Sequence, residues 1–330
     1  MKYLVFCLQL CLFLTAACSV KNDPPPVKII FDTDLGPDYD DVGALAILHA
    51  MADSGKAEIL ATISSNKHEL VVPSIEVINT WFGRPDLPVG APAGEGAVMG
   101  SSQHWADSIT ARYEHRTKST SEAPDAVKIY RKILSGSPEK SVTIVTVGFL
   151  TNLSDLLKSP PDEISTLSGR ELIESRVSRL VSMAGHFPAG REFNVFIDSA
   201  ASKYAFENWP GEIIFTGFEI GREILTGLRL IKSPVQNSPV KDVFRISIPL
   251  SQEDTNGRMS WDETAVIIAV YGTDGFFDTK RGTITVSEDG SNTWKDDPEG
   301  LHRYVIQKMP VDEFTRFIED RMMHIPAGKK

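Results

Sequence analysis

A cluster of acidic side chains near the start of the chain is the first feature that could do chemistry. Five aspartates fall within ten residues: Asp32, Asp34, Asp38, Asp40 and Asp41. One aspartate before a helix is explained by capping, because a carboxylate accepts hydrogen bonds from the free amides there. Two carboxylates 4 Å apart, however, repel by about 4 kcal/mol at an effective dielectric of about 20. The cluster therefore predicts a bound cation, and all-oxygen ligands point to Ca²⁺ or Mg²⁺ rather than zinc or copper.

Two hydrolytic chemistries use an Asp-x-Asp pair after a first strand. One is phosphoryl transfer of the haloacid-dehalogenase type with an Asp nucleophile, and the other is hydrolysis of an N-glycosidic bond by a metal-activated water. The phosphatase loop normally has Thr or Val where Gly36 stands, and it needs a second acidic pair at a late strand end. Here the late acid, Asp262, opens an apolar helix. Glycosidic hydrolysis is therefore favoured, and a Mg²⁺-dependent phosphatase or a non-catalytic nucleoside- or sugar-binding lipoprotein remains as the alternative.

Apolar segments that alternate between strand and helix patterns must position this cluster. Strand patterns cover 27–31, 58–64, 87–91, 142–147, 177–183 and 212–216, and helical patterns cover 42–51, 70–82, 123–134, 150–157, 199–208, 262–271 and 311–322. Two late strand patterns at 283–286 and 303–307 predict a hairpin, to which Trp294 is assigned. The alternation predicts an α/β fold with a mostly parallel sheet and helices on both faces. Ligands bind at the carboxyl ends of strands in such folds, which is where the aspartates fall.

The composition excludes several classes of function. The chain has 34 basic and 44 acidic side chains and a net charge of −10, which argues against nucleic acid as a partner. All three cysteines, Cys7, Cys11 and Cys18, lie within the first eighteen residues. No disulfide, thiolate metal site or catalytic thiol can therefore form after residue 18.

The first residues predict an export signal rather than part of the fold. The chain starts Met1-Lys2, runs apolar from residue 4 to residue 17 and reaches Cys18 through small residues. This apolar run is shorter than the ~20 residues that span a bilayer. The segment resembles a bacterial lipobox, which implies a signal peptide over 1–17 and a lipid anchor on Cys18. The alternatives are ordinary cleavage near Ala17 and a buried N-terminal helix.

The placement of the remaining chain follows from this interpretation. The Pro-rich stretch 18–26 predicts a stiff tether, and 27–330 predicts a single domain without internal repeats. The protein is then expected to be exported, as a periplasmic or outer-membrane-anchored lipoprotein. It would contact the membrane only through the anchor on Cys18.

Several motifs are similar, in order and spacing, to those of the nucleoside hydrolase family of the inosine–uridine-preferring type. The family signature Asp-x-Asp-Pro-Gly-x-Asp-Asp is matched by Asp34 and by Asp40-Asp41, with Leu35 in place of Pro and two additional residues before the pair. Further similar segments are Ser64-Ser65-Asn66, Thr146-Val147-Gly148, Met183-Ala184-Gly185, Glu192-Phe193-Asn194, Asp198-Ser199-Ala200-Ala201 and Trp261-Asp262. The resemblance covers most of the chain after residue 26, and its order is more specific than any single motif.

The resemblance implies a Ca²⁺-dependent hydrolase of the N-glycosidic bond of a ribonucleoside or related N-riboside, with Mg²⁺ less expected. The implied metal ligands are Asp34, Asp40, Asp41, Asp262 and the backbone carbonyl of Val147, and Asp34 would also act as the base for the attacking water. Substrate contacts are implied for Asp38, Asn66, His186, Glu192, Asn194 and Trp261. Which of Asp38 and Asp40 fills the first slot of the acidic pair stays open.

The residue before the last acidic ligand distinguishes this chain from many members of that family. Many of them have His there, next to the leaving base, whereas this chain has Trp261. The purine-specific branch also has Trp at this position, so Trp261 favours a purine weakly. Packing at the helix start is the alternative role for this side chain. The expected partner is a small nucleoside rather than nucleic acid, and the resemblance allows for a homo-oligomer.

Overall fold

A ten-stranded sheet forms the centre of the computed structural model, which describes residues 24–329. The described strands are β1 (Val27–Thr33), β2 (Ala57–Ser64), β3 (Val89–Gly90), β4 (Val142–Thr146), β5 (Val177–Met183), β6 (Ala189–Arg191), β7 (Ile213–Thr216), β8 (Leu225–Thr226), β9 (Arg258–Met259), β10 (Phe277–Val286), β11 (Ser291–Asp296) and β12 (His302–Gln307). Of these, β8 and β9 form a separate two-stranded sheet. The signal peptide and Cys18 predicted from the sequence lie outside the described residues, and 24–26 are exposed.

Helices cover both faces of this sheet. They are α1 (Asp40–Asp53), α2 (Val71–Trp81), α3 (Trp105–Arg112), α4 (Ala126–Gly136), α5 (Thr151–Lys158), α6 (Gly169–Arg176), α7 (Phe193–Ile197), α8 (Ser199–Asn208), α9 (Phe218–Gly221), α10 (Leu228–Lys232), α11 (Pro239–Ser247), α12 (Trp261–Tyr271) and α13 (Val311–Met322). Side chains alternate along the strands, so Ile29 and Phe31 of β1 enter one core with α1, α2, α12 and α13. Ile30 enters the other core with α4, α5, α6 and α8.

The sheet has the strand order β3-β2-β1-β4-β5-β7-β12-β10-β11-β6. The pairs from β3 to β12 are parallel, and β12-β10, β10-β11 and β11-β6 are antiparallel. The predicted α/β class with a mostly parallel sheet is therefore confirmed. From β1 the chain continues to β2 on one side, whereas β4 pairs on the other side, so the carboxyl end of β1 lies at a topological switch point.

The predicted hairpin between 283–286 and 303–307 is wrong in its connection. β10 and β12 do pair antiparallel, but the chain first forms β11, which pairs with the other edge of β10. β11 reads Ser-Asn-Thr-Trp-Lys-Asp and is largely exposed, so it carries no apolar pattern that predicts a strand. Trp294 lies on β11 and packs edge-on against Phe187 and Tyr304, at ring-centroid distances of 5.4 and 5.1 Å.

The loops after β1, β2 and β4 meet in close backbone contact at the carboxyl edge. The amide of Val147 donates to the carbonyl of Asp32 at 2.8 Å, and the amide of Ser65 donates to the carbonyl of Thr33 at 2.8 Å. A Cβ atom on Gly148 would lie 2.3 Å from the amide nitrogen of Asp34 and 2.6 Å from Ser65 Oγ. The loop between β1 and α1, residues 34–39, is called the aspartate loop. It can approach the end of β4 because residue 148 has no side chain.

We expect Gly148→Ala to lower the free energy of unfolding by about 1–3 kcal/mol, the range for overpacking a closely packed site. Gly136→Ala is the matched control, because a Cβ atom there would meet nothing within 4 Å. That control should leave stability unchanged or raise it by up to about 1 kcal/mol. Urea denaturation measures both, and equal stability of the two variants would contradict the close approach.

Candidate functional site

A cavity of about 220 Å³ opens at the carboxyl edge of the sheet, where the sequence predicts the site. It is lined by predicted site residues from distant parts of the chain: Asp34, Asp38, Asp40, Val147, Glu192, Asn194, Trp261 and Asp262. Met183, Phe193, Phe218, Glu253, Arg258 and Met259 complete the wall. The cavity therefore combines a strongly acidic floor with an aromatic and aliphatic side.

A buried and unpartnered carboxylate oxygen lies beside the acidic floor. Asp34, Asp41 and Asp262 are at most 4% exposed, and single oxygens of Asp38, Asp40 and Asp41 lie within 4.8 Å of one another. Asp41 Oδ1 accepts a hydrogen bond from the Thr33 hydroxyl, but Asp41 Oδ2 has no partner among the described residues. A buried orphan oxygen among carboxylates fits a hard cation, which prefers oxygen ligands.

Burial is the main cause of the raised pKa values in this cluster. Removal from water raises the pKa values of Asp34, Asp41 and Asp262 well above their usual range, and repulsion from neighbouring aspartates raises them further. Burial also raises the pKa of Asp40 to about 6, although the nearby Arg258 opposes this shift. These carboxylates cannot ionise together at neutral pH without a counter-charge.

Asp32, near the end of β1, does not line the cavity. Its carboxylate accepts hydrogen bonds from the Tyr130 hydroxyl at 2.8 Å and from Asn152 Nδ2 at 3.0 Å. Burial raises its pKa to about 7. Asp32 and Asp34 are two residues apart, but β1 ends at Thr33, so the alternation of strand side chains no longer applies to Asp34, which lines the cavity.

The sugar-binding pair predicted at Glu192 and Asn194 is held by short backbone contacts. Glu192 caps α7, since its carboxylate accepts from the amides of Asn194, Val195 and Gly185 at 2.8, 3.2 and 3.0 Å. Burial raises the pKa of Glu192 to about 7, and these three bonds oppose the rise. Asn194 Nδ2 donates to the Val147 carbonyl at 2.9 Å, so the amide fixes the carbonyl that the sequence assigns to the metal.

Trp261 forms a flat aromatic wall of the cavity. Its indole Nε1 donates to the Phe218 carbonyl at 2.7 Å. The two rings stack with centroids 5.3 Å apart and planes 26° from parallel. The ring is thus fixed in one orientation, with the Phe218 ring stacked on it and the Arg258 guanidinium 5.0 Å from its centroid.

Two predicted substrate contacts do not line the cavity. Asn66 is fully buried; its Nδ2 donates to the carbonyls of Asp34 and Met99 at 2.8 and 2.7 Å, while its Oδ1 accepts from the amides of His68 and Met99. Its amide group therefore braces the aspartate loop. His186 packs beside Phe218, at a ring-centroid distance of 5.4 Å, outside the set of lining residues.

Arg258 is the site residue that sequence reasoning missed. Its guanidinium binds Asp38 and Asp40 and lies between the Tyr39 and Trp261 rings, 5.1 and 5.0 Å from their centroids. The short β8–β9 pair places it there. Nothing in the stretch Asn256-Gly257-Arg258 indicates that the arginine side chain is buried, because arginines are mostly exposed.

We expect calcium-free protein to lose stability as the pH rises from about 4 to about 7. A carboxyl group whose pKa is raised in the folded state stabilises that state below its unfolded pKa, and the contribution is lost as the pH passes the folded value. Asp32 and Glu192, both shifted to about 7, define this window. Full ionisation of either carboxyl group lowers the free energy of unfolding by several kcal/mol, because each unit of pKa difference between the folded and unfolded states corresponds to about 1.4 kcal/mol.

Calcium should oppose this loss, because it binds ionised carboxylates and stabilises by about 2.7 kcal/mol at a hundredfold excess over Kd. Calorimetric Tm values across this pH range, with chelator or with calcium, test both statements. The same Tm curve under the two conditions would contradict a calcium site.

Comparison with known proteins agrees with this geometry. The inosine-uridine preferring nucleoside hydrolase family matches residues 29–315. A curated relative, the inosine-uridine preferring nucleoside hydrolase of Leishmania major, is 23% identical, and the alignment covers 91% of this chain and 98% of that protein. The pyrimidine-specific ribonucleoside hydrolase RihA of Klebsiella pneumoniae is 24% identical over 55% of this chain and 57% of that protein.

A solved structure shows the same fold at low identity. The purine-preferring ribonucleoside hydrolase from Gardnerella vaginalis superimposes with a TM-score of 0.71 at 16% identity, over 90% of this chain and 98% of that one. The family match spans most of the described residues and includes every lining residue of the cavity. This chain therefore belongs to the inosine-uridine preferring nucleoside hydrolase family and is an N-ribosyl hydrolase that acts on ribonucleosides.

Proposed function

We propose that the protein hydrolyses the N-glycosidic bond of ribonucleosides with Ca²⁺ as cofactor and with a preference for purines. The observation that carries this proposal is the buried, unpartnered Asp41 Oδ2, close to the cavity-lining carboxylates Asp38 and Asp40. Asp34, Asp41, Asp262 and the Val147 carbonyl would hold the ion. Bound calcium supplies a positive charge that lowers the pKa of a coordinated water.

Asp34 is proposed as the base that takes a proton from the attacking water. It is buried, lines the cavity and follows β1 directly. Its loop position is fixed by Asn66, which donates to the Asp34 carbonyl. A base held in place in this way can accept a proton within hydrogen-bond distance, and such general-base catalysis contributes about 10²–10⁴-fold.

The sugar is proposed to lie between the acidic floor and the Glu192–Asn194 pair. Hydrolysis passes through a ring that carries positive charge, as in other glycosidases. Carboxylates that are already oriented stabilise this charge where it develops, with little reorganisation. Glu192 is oriented by three backbone amides and Asn194 by the Val147 and Met183 carbonyls.

The leaving base is proposed to stack on Trp261. Among the described residues that line the cavity there is no histidine to protonate the base. The indole and the Phe218 ring offer an aromatic surface instead, and the larger purine ring system gains more from stacking than a pyrimidine. The relatives' names include both pyrimidine-specific and purine-preferring enzymes, so the proposed preference depends on Trp261. Family membership does not favour the phosphatase or the non-catalytic alternative.

We expect purified protein to release ribose from inosine or adenosine with calcium, and more slowly from uridine. Asp34→Asn should lower kcat by at least about a hundredfold, as expected for loss of a general base. Asp86→Asn is the control, because that side chain is 95% exposed and is not among the residues that line the cavity. A reducing-sugar assay on a nucleoside panel measures each rate. The proposal fails if no nucleoside yields ribose, or if chelation of calcium leaves the rate unchanged.

Export and lipid anchoring on Cys18 are proposed from the sequence alone, because residues 1–17 and Cys18 lie outside the described residues. Small residues precede Cys18 and a Pro-rich stretch follows it. None of the described helices is long and apolar enough to cross a membrane. Membrane association would then depend on the acyl chains at Cys18.

We expect the full chain, expressed in a bacterial host, to partition into a detergent phase and to sediment with membranes. Cys18→Ser should move it to the soluble fraction, because the lipid attachment site is lost. Cys11→Ser, inside the predicted signal, is the control and should leave the partition unchanged. Equal partition of the Cys18→Ser variant and the original chain would contradict the anchor.

A further inference from the structure

Asp40 has no free acceptor position on its carboxylate. Arg258 Nε and Nη2 donate to Oδ1 at 3.1 and 2.7 Å. The backbone amides of Trp261 and Asp262 donate to Oδ2 at 3.1 and 3.3 Å. A carboxylate offers about four lone-pair positions, and in Asp40 all four have a donor.

These contacts give Asp40 a structural role at the start of α12. The first amides of a helix lack partners within the helix, and Ser260, the residue before α12, makes no capping bond with its side chain. Asp40 Oδ2 takes the place of that cap. The carboxylate thereby ties the first residue of α1 to the first turn of α12.

Arg258 is fixed as firmly as the carboxylate that it binds. It is 8% exposed, and its guanidinium lies between two aromatic rings. Asp254 lies 3.8 Å from its Nη1 and accepts a hydrogen bond from the Tyr39 hydroxyl at 2.6 Å. Aromatic rings and a carboxylate on several sides leave the guanidinium one orientation, in which it faces Asp40.

Asp38 differs from Asp40 in each of these respects. Its side chain is 40% exposed and lines the cavity. Arg258 Nη2 binds only its Oδ2, and Oδ1 accepts no side-chain or backbone hydrogen bond from the described part of the chain. Asp38 therefore has acceptor positions left for a ligand in the cavity.

We propose that Asp38, not Asp40, accepts the sugar hydroxyls, and that Arg258 is the positioning residue that separates the two roles. In this assignment, which rests on the proposed function, Asp40 is neither a calcium ligand nor a substrate contact. Arg258 holds Asp40 against α12 and presents the free oxygen of Asp38 to the cavity. The open choice between Asp38 and Asp40 for the first slot of the acidic pair is thereby decided.

The test compares Asp38→Asn with Asp40→Asn in the full chain. The measurements are the Kd for calcium by calorimetry, the Tm, and kcat/KM for inosine and for 2′-deoxyinosine. Asp38→Asn should keep the calcium Kd within about threefold and reduce the preference for inosine by at least about tenfold, the value of one hydrogen bond to a charged group. Asp40→Asn should lower the Tm and keep both the calcium Kd and this preference.

Arg258→Lys tests the positioning role, because an ammonium keeps the charge but cannot span both carboxylates as a guanidinium does. It should reduce the preference for inosine over 2′-deoxyinosine while the calcium Kd stays within about threefold. Arg131→Lys is the matched control: Arg131 is also buried, and it binds Asp162 through two nitrogens at 2.8 and 2.7 Å. That control should lower the Tm alone.

The opposite result would overturn the assignment. If Asp40→Asn weakens calcium binding by more than about tenfold or removes the preference for inosine, and Asp38→Asn does neither, Asp40 is the functional residue. If the original chain releases no ribose, the proposed function fails. The assignment is then still decided by calorimetric binding of inosine and 2′-deoxyinosine to the same variants, and equal binding of inosine to Asp38→Asn and the original chain would overturn it.

Discussion

The burial of several carboxylates at one sheet edge is the constraint on which the rest of this site depends. Each carboxylate loses its hydration on burial and repels its neighbours. Every one of them therefore needs a counter-charge or a set of hydrogen-bond donors. Asp40 receives a guanidinium and two helix amides, and Glu192 receives two amides at the start of α7 and the amide of Gly185. Asp34, Asp41 and Asp262 receive too few hydrogen-bond donors from the described residues. Their uncompensated negative charge favours the binding of a divalent cation.

The scaffold keeps this unfavourable cluster in place by backbone contacts rather than by side-chain charge. β1 lies at the switch point of the sheet, and the loops after β1, β2 and β4 bind one another through amides and carbonyls. Gly148 permits their close approach, and the buried amide of Asn66 braces the aspartate loop. A rigid edge of this kind can hold ligands in position before an ion or a substrate arrives, which lowers the reorganisation needed for catalysis.

Membership of the nucleoside hydrolase family establishes the class of reaction, while this chain's own residues distribute the roles within the site. The loop between β1 and α1 contains Asp38, and Arg258 pairs with it and with Asp40. Trp261 serves two neighbours at once, since its amide contacts Asp40 and its ring stacks on Phe218. Charge balance, helix capping and the aromatic wall therefore meet at the start of α12.

The sequence by itself determined the α/β class and the acidic edge, because apolar periodicity and clustered aspartates are local patterns that need no knowledge of distant contacts. It also placed most of the residues that line the cavity. Only the tertiary structure decided which partner each carboxylate has. Arg258 is 218 residues from Asp40 in the chain, Asn66 is directed to the backbone of its neighbouring loops, and the polar strand β11 exists through pairing with β10. Hydrogen-bond partners are chosen by distance and direction in space, and neither can be inferred from residue type or spacing.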